Sequence, residues 1–179
     1  MCDLSDFDPK HLLGIDCTIY VRKLNRKKEW DPSEPLDIQS RAEQCYSAAF
    51  EDDQNQISVF SVSSDIELAR IAVTMNAPEK RGWTEEIVLA WFTEEDIRSH
   101  KLRMIRSIVE TECKLANRLH YDIEDDQPKV IALIEAAMQG GRGIIRFKKP
   151  KMRKAIISAE NAGCYVTNNP KRQKCTCGF

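Results

Sequence analysis

A serine-rich segment followed by an acid stands directly after an apolar stretch of the chain. Residues 57–62 alternate Ile, Ser, Val, Phe, Ser, Val and predict a central strand, after which the chain reads Ser63, Ser64, Asp65. Open α/β sheets bind ligands at the carboxyl ends of their strands, so Ser61, Ser63, Ser64 and Asp65 are candidates for an enzyme site. The same residue types are preferred at helix N-caps, and the cap is the interpretation that we favour.

Other catalytic arrangements fail on spacing or order. His11, His100 and His120 fall in separate predicted elements, without a Ser or Cys at a recognisable motif spacing. Asp16, near the start of the first strand, could join other acids in a two-metal nuclease site. Such a site of the ribonuclease-H type belongs to a fold that begins with a three-strand meander. Here a proline loop and a helix are predicted after the first strand, which argues against that fold. No catalytic residue is assigned, and whether the protein is an enzyme stays open.

Residues 140–143 read Gly-Gly-Arg-Gly and invite comparison with a phosphate-binding loop. Such a loop needs a strand before it and a helix after it, so that helix N-terminal N–H groups face the phosphate. The predicted order here is the reverse. We therefore interpret these glycines as a helix C-cap followed by a turn.

The chain has seven cysteines, an odd number for a disulfide framework. Cys17, Cys45 and Cys113 fall on apolar stripes and are predicted to be reduced thiols in the core. Cys164, Cys175 and Cys177 could begin a zinc site, but no His or further Cys follows Cys164 to complete a tetrahedral set, unless Cys113 or His120 supplies it through the fold. We expect a reduced tail, with no metal and no cofactor.

Charge is distributed unevenly along the 179 residues. The 27 Lys and Arg nearly balance the 28 Asp and Glu, yet residues 142–179 carry +9, which leaves −10 for residues 1–141. Such a dipole favours a polyanionic partner on one side. The candidate phosphate contacts are Arg142, Arg146, Lys148, Lys149, Lys151, Arg153 and Lys154, with Trp30 as a stacking surface.

Two further basic segments lie next to a tryptophan. Residues 22–28 precede Trp30, and Lys80-Arg81-Gly82 precedes Trp83. An indole beside cations can stack on a base while the cations neutralise phosphates. The alternative, which we favour, is a pair of solvated loops whose tryptophans cover the edge of the core.

Hydrophobic periodicity predicts alternating strands and helices. The strands are expected at residues 15–24, 57–62, 87–92, 144–147 and 164–167. Helices are expected from Asp37 to about residue 52, from residue 65 to before Pro78, after Thr93, at about residues 128–138 and from Pro150 to before Gly163. The strongest periodic signal is a helical stripe of Leu102, Ile105, Val109, Cys113, Ala116 and His120.

This alternation predicts an α/β or α+β fold, with about five strands in a largely parallel or mixed sheet and helices packed on it. One compact domain is expected over residues 1–167, with an acidic body (1–127), a basic βαβ end (142–167) and an irregular basic tail (168–179). No apolar run is long enough to span a membrane, and the acidic N-terminus does not resemble a secretory signal, so a cytosolic protein is predicted.

The sequence is compatible with three classes of function. The first is a binding or accessory protein that contacts nucleic acid through the basic end, and we favour it slightly. The second is a protein–protein interaction module, a subunit of a larger complex or a self-associating protein whose acidic and basic regions meet complementary surfaces. The third is an enzyme with its site at the carboxyl end of the central strand. Specific base contacts are not assigned.

Overall fold

The computed structural model describes residues 18–24, 37–52, 57–76, 87–107, 114–124, 126–139 and 143–161. Within these ranges the strands are β1 (Ile19–Leu24), β2 (Ile57–Val62), β3 (Ile87–Thr93), β4 (Met104–Arg106), β5 (His120–Ile123) and β6 (Ile144–Phe147). The helices are α1 (Ile38–Asp52), α2 (Asp65–Asn76), α3 (Glu94–Ser99), α4 (Lys114–Leu119), α5 (Gln127–Met138) and α6 (Lys149–Asn161). The predicted strand at 164–167 and the tail at 168–179 lie outside the described residues.

The strands form one sheet in the order β4-β5-β2-β1-β3-β6. The mixed α/β class is confirmed, but in the described part of the chain the sheet has six strands rather than about five, and each of the five pairings there is antiparallel. The expectation of a largely parallel or mixed sheet is therefore wrong. Alternating strands and helices predict that helices pack on a sheet. The direction of each strand depends on the end of the sheet at which the chain returns to it, and hydrophobic periodicity carries no information about that end.

Helices cover both faces of the sheet and create two cores. The first core lies under α2, α4 and α6, and the second lies under α1, α3 and α5. Both faces of β3 are apolar because they face the two cores in turn, with Leu89 in the first and Val88 in the second. Cys45 of α1 is a buried free thiol in the second core, as predicted, whereas Cys17 and Cys113 lie outside the described residues.

The helical stripe predicted over residues 102–120 is confirmed in the described part only at Lys114–Leu119 and is wrong on either side of it. The chain instead forms β4, then α4, then β5. The helix that begins at Thr93 ends early, because Lys101 adopts a φ of 56° and the N–H groups of Lys101 and Leu102 bond to the carbonyls of Arg98 and Ile97. This is a Schellman closure, and glycine is its usual signal. Because lysine occupies that position, the end of the helix could not be predicted from the residue type.

Gly143 joins α5 to the sheet at the point where β6 begins. Its N–H donates to the Ala137 carbonyl at 2.8 Å, and its own carbonyl accepts from the Trp91 N–H at 2.8 Å. A Cβ atom at this position would lie 2.6 Å from the Ala137 Cα. Glycine is required here because two backbones approach closely. Gly143 lies in a turn that leads into β6, as predicted, whereas the C-cap predicted at residues 140–141 lies outside the described residues.

None of the helices in the described ranges is long and apolar enough to cross a membrane.

Candidate functional site

The outward side of α6 carries the densest group of candidate phosphate contacts. Lys149, Arg153 and Lys154 are exposed on this helix, and Lys148 is exposed directly before it. At about 100° per residue, the three helical cations fall within roughly 140° of the helix circumference. We call Lys148, Lys149, Arg153 and Lys154 the basic face.

The sequence of α6 explains why these cations point outward. Met152 and Ala155 are fully buried in the first core, where α6 packs on α2. Pro150 occupies the first turn, as predicted, since a residue there needs no intrahelical N–H bond. Burial of one side of the helix leaves the opposite side in solvent. Ile157 lies on that same side and is 56% exposed.

The remaining predicted contacts do not join the basic face. Arg146 lies on β6 between two residues of the first core, so by strand alternation its side chain leaves from the opposite face of the sheet to α6. Lys151 is half-buried and forms contacts of its own. Arg142 and Trp30 lie outside the described residues.

The basic face is not neutralised by the acidic part of the chain that the structure describes. Ion pairs within the described ranges join Arg98 to Glu94, Arg103 to Glu124 and Lys129 to Asp126, all on other elements. No carboxylate of the described residues lies within ion-pair distance of the four cations. Within the ranges that the structure describes, their charge is therefore not balanced by an ion pair.

The candidate site at the end of β2 is used for helix capping. The Ser64 hydroxyl accepts a hydrogen bond from the Glu67 N–H at 3.3 Å, and the Glu67 carboxylate accepts one from the Ser63 N–H at 2.7 Å. The Ser64 hydroxyl therefore caps the start of α2, and the Glu67 carboxylate binds the N–H group of the residue before that cap. The Ser63 hydroxyl also lies 2.9 Å from that of Thr18. Ser61 is half-buried on the sheet face of the second core.

A buried polar cluster, which the sequence did not predict, lies where β4, β5 and β2 meet. His120 is 6% exposed and its Nδ1 lies 2.5 Å from the Ser107 hydroxyl. Asp122 is also buried and accepts a hydrogen bond from the Ser58 hydroxyl at 3.1 Å. The ring of Phe60 packs edge-on against the imidazole, with centroids 5.0 Å apart. We call Ser58, Ser107, His120 and Asp122 the polar cluster.

The geometry of the polar cluster favours a structural role. A serine–histidine–aspartate relay needs a hydrogen bond from the imidazole to the carboxylate, but His120 Nε2 lies 3.9 Å from Asp122 Oδ1. The cluster links three neighbouring strands, and its Ser107–His120 contact ties the end of the short edge strand β4 to β5. The bidentate pair of Arg103 with Glu124 ties the other end of β4. The sequence signal was His120 itself, but its partners come from other strands.

Burial raises the pKa of Tyr20, with smaller contributions from the nearby Glu94 carboxylate and from Tyr121. Tyr20 is 8% exposed, and its ring packs edge-on against that of Tyr121. A phenol in this position resists ionisation because the phenolate loses solvation and meets negative charge.

Tyr20→Phe is expected to make the protein less sensitive to alkaline pH. Below the ordinary phenol pKa of about 10, both folded and unfolded chains keep the proton and no pH dependence arises from this group. Above it the unfolded chain loses the proton first, so the free energy of unfolding falls as the pH rises. Urea unfolding from pH 7 to 11 measures the free energy of unfolding of both proteins, each relative to its own value at pH 7. Above the phenol pKa this free energy should fall less steeply with pH in the variant than in the wild-type protein. An equal fall of the unfolding free energy with pH in both proteins would contradict this prediction.

In the described part of the chain, no group of three or more His, Cys, Asp or Glu residues is arranged to hold a metal ion. Cys164, Cys175 and Cys177 lie outside the described residues. The comparisons with known proteins add no assignment: no family model matches the chain, and no curated protein or solved structure is significantly similar to it.

Proposed function

We propose that this protein binds nucleic acid through the basic face of α6, without specific recognition of bases. The observation that carries the proposal is a set of three exposed cations on one side of α6, with a fourth directly before the helix, which is anchored by buried residues on its other side. Lys149 to Lys154 spans about 7.5 Å of helix axis, a length over which duplex DNA carries roughly four charges. The cytosolic location expected from the sequence belongs to the same proposal.

Electrostatic binding of this kind has a measurable salt dependence. If the four cations each neutralise a phosphate, the logarithm of the affinity for duplex DNA should fall with log salt with a slope of about −3.6. That slope corresponds to a loss of roughly 100-fold between 50 and 200 mM salt. Fluorescence anisotropy with a labelled 20-base-pair duplex and a single-stranded RNA of equal length measures the slope. Absence of binding to either probe at low salt would overturn the proposal.

A charge-reversed variant tests whether α6 is the interface. Lys149→Glu/Arg153→Glu should weaken binding at least tenfold and make the slope shallower by about 2, because two phosphate contacts are replaced by repulsion. Lys101→Glu/Arg106→Glu is the matched control, since it makes the same change of charge at two exposed positions at or near β4, on the opposite edge of the sheet from β6. Equal loss in both variants would mean that only net charge matters and would contradict an interface on α6.

The same variants distinguish nucleic-acid binding from association with a second copy of the chain. Sedimentation of the wild-type protein at low and high salt gives its mass. Self-association through α6 predicts a mass that falls as salt is added in the wild-type protein and a monomer mass at all salt concentrations in the α6 variant. This result, together with no binding to nucleic acid, would replace the proposal by electrostatic self-association.

A further inference from the structure

Ile157 lies among the cations of the basic face, although it carries no charge. On a helix with about 100° per residue, it falls between Arg153 and Lys154, about 40° from the first and about 60° from the second. It is also nearly opposite to Met152 and Ala155, which are buried in the first core. Ile157 therefore points away from the sheet, into the solvent in front of the cations.

An isoleucine is unexpected at this position, because the solvent side of an amphipathic helix ordinarily carries polar residues. Ile157 is 56% exposed, whereas the other exposed isoleucines among the described residues, Ile38, Ile66 and Ile105, are 39%, 42% and 39% exposed and lie on other elements. A single exposed apolar side chain is common on protein surfaces, so exposure alone identifies no site. What distinguishes Ile157 is its position, with a cation on either side.

Cations on both sides of an apolar side chain fit single-stranded nucleic acid better than a duplex. A single strand offers phosphates and unstacked bases together, and proteins bind it with cations along the backbone and side chains packed on base faces. A duplex offers its phosphates at the surface, but contact with a base face costs the unstacking of a base step. Phosphates bound to Arg153 and Lys154 would bring the base between them onto Ile157.

We propose that the basic face binds single-stranded nucleic acid in preference to a duplex, with Ile157 packed against an unstacked base. This inference rests on the proposed nucleic-acid binding, and it adds the class of nucleic acid and the residue that selects it. Since every base has an apolar face, the contact selects the unstacked state and not a particular base.

Fluorescence anisotropy with three probes of equal length tests the inference. The probes are a single DNA strand, a strand in which every nucleotide is abasic, and the duplex. At about 200 mM salt, where the electrostatic contribution is reduced, the wild-type protein should bind the single strand about fivefold more tightly than the abasic strand, and more tightly than the duplex. Equal affinity for the single strand and the abasic strand would overturn the inference, as would a preference for the duplex.

Ile157→Ala should weaken binding to the single strand about fivefold and leave binding to the abasic strand unchanged. The salt slope should also stay unchanged, because no charge is removed. Ile105→Ala is the matched control, since it makes the same change at an exposed isoleucine of β4, at the opposite edge of the sheet from β6, and it should alter none of the three affinities. An equal loss of affinity for single strand and duplex in Ile157→Ala would contradict contact with an unstacked base.

Ile157→Trp tests the same contact by a gain of binding, which a loss of folding cannot imitate. An indole stacks on base faces over a larger area than isoleucine, so this variant should bind the single strand about fivefold more tightly than wild type and the abasic strand equally. A tryptophan variant without this gain would count against the inference.

Failure of this inference can be distinguished from failure of the proposed function. If the wild-type protein binds no nucleic acid at low salt, both fail. If it binds single strand and duplex through α6, as the loss in Lys149→Glu/Arg153→Glu would show, but the Ile157 variants bind all three probes like wild type, the proposed function stands and this inference is wrong.

Discussion

Gly143→Ala should lower the free energy of unfolding by about 3 kcal/mol. The added Cβ would lie 2.6 Å from both the Cα and the Cβ of Ala137, so the backbone of α5 or of the β6 start has to move. Either movement strains the bonds from Gly143 to the Ala137 carbonyl and from the Trp91 N–H to Gly143. The effect is large because the atoms that collide belong to main chain and cannot rotate away.

Urea unfolding at pH 7 measures this change. Gln139→Ala is the matched control, because Gln139 is exposed at the end of α5, only four residues earlier, and its truncation should change the unfolding free energy by less than about 0.5 kcal/mol. A Gly143→Ala protein within 1 kcal/mol of wild type would show that the approach of α5 to β6 is not tight.

His120→Ala should cost a similar amount, about 3 kcal/mol. The substitution leaves a cavity beside Phe60 and removes the contact with the Ser107 hydroxyl, so packing and hydrogen bonding are lost together. Because the polar cluster ties β4 to β5, amide hydrogens of residues 104–106 should also lose protection against exchange.

His100 provides the control for this prediction. It is half-buried after α3, and its Nδ1 lies 2.7 Å from the Asp96 carbonyl. His100→Ala should therefore cost about 1 kcal/mol or less and leave exchange at residues 104–106 unchanged. If both histidine variants lose the same stability, the polar cluster has no special role in holding β4.

Cations that look alike in sequence differ in their exposure to solvent. On α6 the cations are exposed, so they attract an extended anion at little desolvation cost and respond strongly to salt. Arg22 on β1 is buried, so little of its charge faces solvent. Exposure decides which kind of partner each cation can serve.

Much of the secondary structure could be predicted from the chain alone. The bounds of β2 and β6 are those predicted, and α1, α2, α5 and α6 lie close to their expected positions. Local signals are sufficient in these segments, because apolar spacing and caps such as Ser64 act over a few neighbouring residues. The outward direction of the α6 cations is known from the structure, in which Met152 and Ala155 are buried in the first core.

Strand direction, the β4–β5 segment and the buried polar groups could not be predicted in this way. Ser107 meets His120, and Ser58 meets Asp122, only because β4, β5 and β2 are neighbours in register. Arg22 is buried because β1 lies in the middle of the sheet. Residue types and spacing along the chain therefore determined the elements and the charge of α6. The tertiary structure decided which polar groups lose water and which partners remain to them, because burial depends on neighbours distant in sequence.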